Sequence, residues 1–195
     1  MIKLGVTGGI GSGKSVVCDV FRLHDIPVFD ADREAKKLND TSPVIREKLI
    51  NNFGPDLYQG NKLDRKKLAN LIFNNAENLH ITNAIIHPEL AKYFEKWVDQ
   101  RKHHAVIAID AAVLYEAGFQ SLLDKTIVVM APLKIRIERA AKRDRLSKEQ
   151  ITARANSQMN DEEKAGLADF IIRNDGRHSL LEQVAQILQD ISTLY

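Results

Sequence analysis

The chain has 195 residues, 44% of them hydrophobic, enough to bury one sizeable core without disulfides or metals, and it fits one domain with insertions better than two. Its 28 lysines and arginines against 26 aspartates and glutamates leave a formal +2, which argues against a nucleic-acid or membrane-surface binder relying on bulk charge. Cys18 stands alone and cannot make an internal disulfide, no cysteine and histidine cluster has zinc spacing, and nowhere do eighteen apolar residues run together. Lys3 and the glycines after it replace any long apolar leader, so a cytoplasmic protein with no nucleic-acid or membrane partner is expected, as a monomer or weak homo-oligomer.

Ile2, Leu4 and Val6 alternate as in a strand, a glycine-rich run follows, and Val16, Val17, Val20, Phe21 and His24 then fall at helical spacing. Four more apolar runs, 26–30, 105–110, 125–130 and 169–174, read as strands. Five short strands separated by helical patterns imply a parallel sheet covered on both faces. About seventy-five residues separate the second strand from the third, far more than one crossover helix needs. This insert reads as helices after Pro43, after Asp64, around Leu79 to Ile86 and from Pro88, with Gly54-Pro55 and Gly60-Asn61 as turns. A smaller excursion from Pro132 to about Ala168 shows helix starts at Ser147 and Asn160. In the last helix, Leu180, Leu181, Val184, Ile187, Leu188, Ile191 and Leu194 form one stripe behind a Ser179/Glu182 capping box.

Gly8-Gly9-Ile10-Gly11-Ser12-Gly13-Lys14-Ser15 meets the pattern GxxxxGK[ST] between a strand and a helix, the context that confirms a phosphate loop. Glycines let the backbone N–H groups turn onto phosphates, and the following helix N-terminus, from Lys14 through Val16, adds partial positive charge. Lys14 is the residue to bridge the β- and γ-phosphates of ATP, and the Ser15 hydroxyl is a ligand for Mg²⁺. No Asn-Lys-x-Asp guanine reader follows a late strand, and a helical insert plus an arginine-bearing excursion is the layout of a small-molecule kinase.

Asp30 and Asp32 sit where the second strand ends, at the carboxyl edge of the sheet. An aspartate there can orient an acceptor hydroxyl and take its proton; the same residues can instead cap the helix starting near Arg33. Asp110, ending the third strand, is placed either as a carboxylate that holds Mg²⁺ through water or as a buried cap. Arg136, Arg139 and Arg143, at i, i+3 and i+7, share one helix face that can point into the cleft, with Arg139 favoured. Asn174 to Gly176 are placed to contact adenine, or form an ordinary Asp-Gly turn.

The runs 7–15, "DAD" (30–32), His87-Pro88 ending an apolar helix, "LYEAG" (114–118), "RAAKRD" (139–144) and "IIRNDG" (171–176), in this order, resemble the dephospho-CoA kinase family over nearly the whole chain. The resemblance implies ATP-dependent phosphorylation of the ribose 3′-hydroxyl of dephospho-coenzyme A and an α/β phosphate-loop fold of the nucleoside-monophosphate-kinase type. It implies three parts: a nucleotide-binding core (1–32, 104–132 and 168–195), a helical acceptor domain (33–103) and a lid (133–167). Asp32 matches the catalytic base, and His87, Leu114 and Glu116 match positions near the acceptor. Ala112 stands where family members commonly carry a proline. The alternatives are another small-molecule or nucleoside monophosphate kinase, or a nucleotide-gated binding protein.

Overall fold

The structure, a computed structural model, describes residues 1–73, 75–156 and 158–193. The chain forms two compact units, Met1–Asp30 with Arg101–Tyr195, and Ala31–Gln100. In chain order, β1 (Ile2–Thr7), α1 (Lys14–Leu23) and β2 (Val28–Asp30) open the first unit. The second unit holds α2 (Ala31–Thr41), α3 (Pro43–Phe53), a 3-10 turn at Pro55–Leu57, the hairpin β3 (Tyr58–Gln59) and β4 (Lys62–Leu63), α4 (Arg65–Phe73) and α5 (Ala76–Asp99). The chain returns to the first unit with β5 (Val106–Asp110), β6 (Lys125–Met130), α6 (Leu133–Asp144), α7 (Lys148–Asn156), α8 (Asp161–Leu167), β7 (Phe170–Arg173) and α9 (Leu180–Ser192).

The five strands of the first unit lie in the order β2-β5-β1-β6-β7 and every pairing is parallel. β1 is central and buried from Leu4 to Thr7, with Leu4 and Val6 on one face and the small residues Gly5 and Thr7 on the other. One sheet face presents Leu4, Val6, Ala108, Ile127, Val129 and Ile172 to Val17, Cys18 and Phe21 of α1 and to Val184, Ile187 and Ile191 of α9. Burial, with the Asp110 charge added, pushes the Cys18 thiol well above its ordinary range. Leu181, expected on the apolar stripe of α9, is instead 61% exposed, since it sits at the stripe's edge, about 100° from Leu180. Leu194 lies outside the described residues.

The second unit has its own core of Ile45, Leu49, Leu57, Tyr58, Leu63, Leu68 and Ile85. Its helices start as their caps dictate: Ser42 accepts from Ile45 N–H ahead of Pro43, and Asn75 accepts from Asn78 N–H ahead of α5. The turn at Gly60-Asn61 joins β3 and β4, a hairpin of two residues a side. The two helices expected on either side of His87-Pro88 are one helix, α5, with Pro88 in its interior. Proline there removes a hydrogen bond and costs roughly 3 kcal/mol. The carbonyl left without a donor belongs to Ala84, an exposed residue that water can reach, while Ile85, Leu90 and Phe94 on either side are all buried.

Candidate active site

The phosphate loop follows β1 at the carboxyl edge of the sheet, where open α/β folds bind ligands. Gly11 has φ +77°, and a Cβ added to it would fall into the Arg136 main chain, 2.8 Å from its carbonyl carbon. Glycine is therefore required there by both backbone conformation and space. Gly13, with φ +91°, is the N-cap of α1, and its carbonyl accepts from Val16 N–H (3.0 Å) and Val17 N–H (3.4 Å). The helix N-terminus thus opens at Lys14, with Ser15 and Val16 exposed in its first turn.

Lys14 Nζ is ion-paired with Asp110, whose register partner on β1 is Val6 and on β2 is Asp30. Parallel pairing therefore brings the ends of β2 and β5 and the start of α1 to one edge. Asp110 supplies a carboxylate and Ser15 a hydroxyl, hard oxygen donors of the kind Mg²⁺ takes. Among the described residues no three of His, Cys, Asp and Glu converge on a metal site. A Mg²⁺ that keeps waters and nucleotide oxygens needs no such cage, so the donor set fits it.

The arginine row of α6 separates into three environments. Arg136 is 7% exposed; its Nε donates to the Ile10 carbonyl (3.0 Å) and its guanidinium pairs with Asp161. It is thus committed to the outside of the loop instead of pointing into an open cleft, because a Cβ on Gly9 or Gly11 would occupy the space it uses. Arg139 is exposed and donates to the Asn174 carbonyl (3.1 Å). Arg143 pairs with its neighbour Asp144. Arg136 and Asp161 also border a cavity of about 710 Å³ with Met130, Leu133, Met159 and Ile171. Burial pushes the Asp161 carboxyl above the usual carboxylate range, although Arg136 and Lys164 oppose the shift.

Asn174 donates its side-chain amide to the Ser12 carbonyl (2.8 Å), and its backbone N–H goes to the Met130 carbonyl (2.7 Å). The turn after it is built by Asp175, which accepts from the N–H groups of Arg177 and His178, with Gly176 at φ +83°. Those hydrogen bonds, the backbone bond from Arg177 first, hold the Asp175 carboxyl well below its ordinary range. Leu114 is fully buried, with its Cδ1 beside Gly5, so its side chain packs the interior of the loop after β5. Glu116 accepts from Met159 N–H (2.9 Å) and pairs with Lys164 (3.2 Å), whose side chain is fully buried. Lys164 also donates to the Ala112 carbonyl (2.8 Å), and Thr7 Oγ1 donates to the same oxygen (3.3 Å). The loop that lacks the family proline at Ala112 is thus held through its carbonyl.

In the second unit, Asp32 is exposed in the first turn of α2, where a carboxylate also complements the helix dipole. His87 is half-buried inside α5, and burial pushes its imidazole below the ordinary pKa. Sequence reasoning missed Gln158, whose Oε1 accepts from Ile10 N–H (3.0 Å), as well as Asp161 and Lys164. Only the Asn160 helix start, whose side chain accepts from Glu163 N–H, marked that stretch.

Residues 2–179 match the family model described as dephospho-CoA kinase. A dephospho-CoA kinase of Porphyromonas gingivalis is 45% identical over 195 residues, covering 99% of this chain and 96% of that one. A crystal structure from Thermus thermophilus is 33% identical with a TM-score of 0.86, covering 97% of this chain and 96% of that one. Dephospho-CoA kinase from Campylobacter jejuni is 31% identical with a TM-score of 0.70, covering 98% and 97%.

Proposed function

The chain belongs to the dephospho-CoA kinase family, and from that premise we propose how its residues transfer the γ-phosphoryl of ATP to the ribose 3′-hydroxyl of dephospho-coenzyme A, giving coenzyme A and ADP. The observation that carries the reading is the glycine-lined loop between β1 and α1, with Lys14 at the helix N-terminus beside Asp110. Kinases of this family use ATP as co-substrate. In this reading Lys14 leaves Asp110 for the β- and γ-phosphates, while the loop from Gly8 to Val16 meets the remaining oxygens through those of its N–H groups that no protein acceptor holds, Ile10 N–H being held by Gln158. Asp32 orients the 3′-hydroxyl and accepts its proton as the phosphorus–oxygen bond to ADP breaks and the bond to the ribose oxygen forms. Arg139 neutralises charge on the phosphoryl in flight. Asn174 and Gly176 face the adenine, and His87 and Glu116 the acceptor.

Ser15 and Asp110 are the residues that would hold Mg²⁺, which supplies charge neutralisation on the phosphate oxygens when bound. In this scheme 1–32, 104–132 and 168–195 form the nucleotide core, 33–103 carries the acceptor and 133–167 closes as a lid that excludes water. No helix among the described residues is long and apolar enough to cross a membrane. We take the enzyme to be a cytoplasmic monomer or weak homo-oligomer acting on small molecules alone. The test is ATP labelled at the γ-phosphate, supplied with Mg²⁺ and dephospho-coenzyme A. Label on the 3′-oxygen of the product supports the reading; label recovered only as inorganic phosphate overturns it.

A further inference from the structure

Ile10 lies in the middle of the phosphate loop, and both of its main-chain polar groups are held by side chains from outside the loop. Its N–H donates to Gln158 Oε1 (3.0 Å), and its carbonyl accepts from Arg136 Nε (3.0 Å). Arg136 is fixed in turn by Asp161, and both residues are buried. Gln158 and Asp161 flank the start of α8, so a four-residue stretch at the junction of α7 and α8 reaches Ile10 by two routes. The same stretch is anchored behind by Glu116, which accepts from Met159 N–H, and the helix that follows it, α8, by buried Lys164, which donates to the Ala112 carbonyl.

A loop with several glycines is conformationally free unless something orders it, and a cradle of N–H groups binds anions well only if the groups already point inward. Flipping a single peptide plane in the loop turns a donor into a carbonyl. The two planes flanking Ile10 are the ones that Gln158 and Arg136 grip. Both grips are made by the chain's own side chains, which is what ordering the loop ahead of its ligand requires. We propose that Gln158, together with the Arg136–Asp161 pair, is a positioning residue that preorganises the phosphate loop and so sets the affinity for ATP. The proposal rests on the reading of residues 8–15 as an ATP cradle. Gln158 acts through Ile10 and touches no substrate; losing it releases the loop and raises the ordering cost of nucleotide binding.

The experiment titrates ATP onto the full-length protein without acceptor, for the parent, Gln158→Met, Gln158→Glu and Lys14→Ala, with Tm recorded for each. Methionine keeps the length of the side chain and removes the acceptor; glutamate keeps an acceptor oxygen. Expected for Gln158→Met is an ATP Kd weakened about tenfold, the loss of one well-placed hydrogen bond, at an unchanged Tm. Its KM for ATP should rise while KM for the acceptor does not, a split that a general loss of structure would not produce. Gln158→Glu should recover part of the affinity. An ATP Kd within twofold of the parent for Gln158→Met, with binding lost in Lys14→Ala, overturns the brace and leaves the cradle standing. Undiminished binding by Lys14→Ala overturns the cradle and the brace with it.

Discussion

Lys14, the first residue of α1, is ion-paired with Asp110, the last residue of β5, with 15% and 11% of their side chains exposed. One carboxylate thus holds the cation of the phosphate loop at the edge where nucleotide would bind. Two charges this shielded from water attract more strongly than a surface pair, so nucleotide phosphates must outcompete Asp110 for Lys14.

Lys14→Ala should abolish detectable ATP binding and turnover together, because it removes the cation and leaves Asp110 facing the phosphates. Asp110→Asn should do the opposite to binding: metal-free ATP binds at least as tightly, since Lys14 no longer has a competitor. Its Mg²⁺-dependent turnover should fall at least about a hundredfold, as loss of a transition-state interaction does. Calorimetric titration of ATP with and without Mg²⁺, alongside kcat, checks both.

Asp32→Asn should lower kcat at least about a hundredfold while ATP affinity changes little, the pattern of a lost general base. The residue is exposed in the first turn of α2 and asparagine has nearly the same size, so the substitution opens no cavity. An unchanged kcat with a Tm lowered by a degree or two would return Asp32 to the role of a helix-start carboxylate.

Gly11→Ala should destabilise the fold by about 2–4 kcal/mol and weaken ATP binding, since it adds a left-handed penalty to a collision with the Arg136 main chain. Gly60→Ala is the control: φ is +58° but nothing lies within 4 Å of its added Cβ, so only the backbone penalty of about 1–2 kcal/mol applies. Urea midpoints for the two variants separate the two causes.

How much of this was legible beforehand varies with the range of the interaction. Residues 8–15 and the five strands were legible because glycine spacing and apolar runs act locally. Pro88 was misjudged because the local rule that proline starts helices was overridden by Ile85, Leu90 and Phe94, all buried on either side of it. The β3/β4 hairpin showed only its Gly60-Asn61 turn, since strands of two residues carry no periodicity. The arginine row gave a shared face but not what lay opposite: Arg136 faces Ile10 and Asp161, Arg143 its neighbour Asp144. Nothing in spacing connects Ile10 to Gln158, 148 residues away, so that contact required coordinates.

His87 supplies a pH dependence. Burial lowers its pKa in the folded state below the ordinary value of 6.5, so the unfolded chain takes up the proton more readily. Stability contributed by neutral His87 is fully present above pH 6.5 and is lost as pH falls through that value toward the folded pKa. Tm measured from pH 8 down to 5 should therefore fall below about 6.5, and His87→Gln should flatten that fall. A parallel decline in parent and variant would assign the effect to other groups.

The most direct test of the whole account is the rate of ADP release from Mg²⁺–ATP by the purified protein with dephospho-coenzyme A, with AMP, with other small alcohols and with no acceptor. Strong stimulation by dephospho-coenzyme A, little by the others, and loss of that stimulation in Asp32→Asn are expected. A rate that dephospho-coenzyme A leaves unchanged, or that AMP stimulates more, would contradict it.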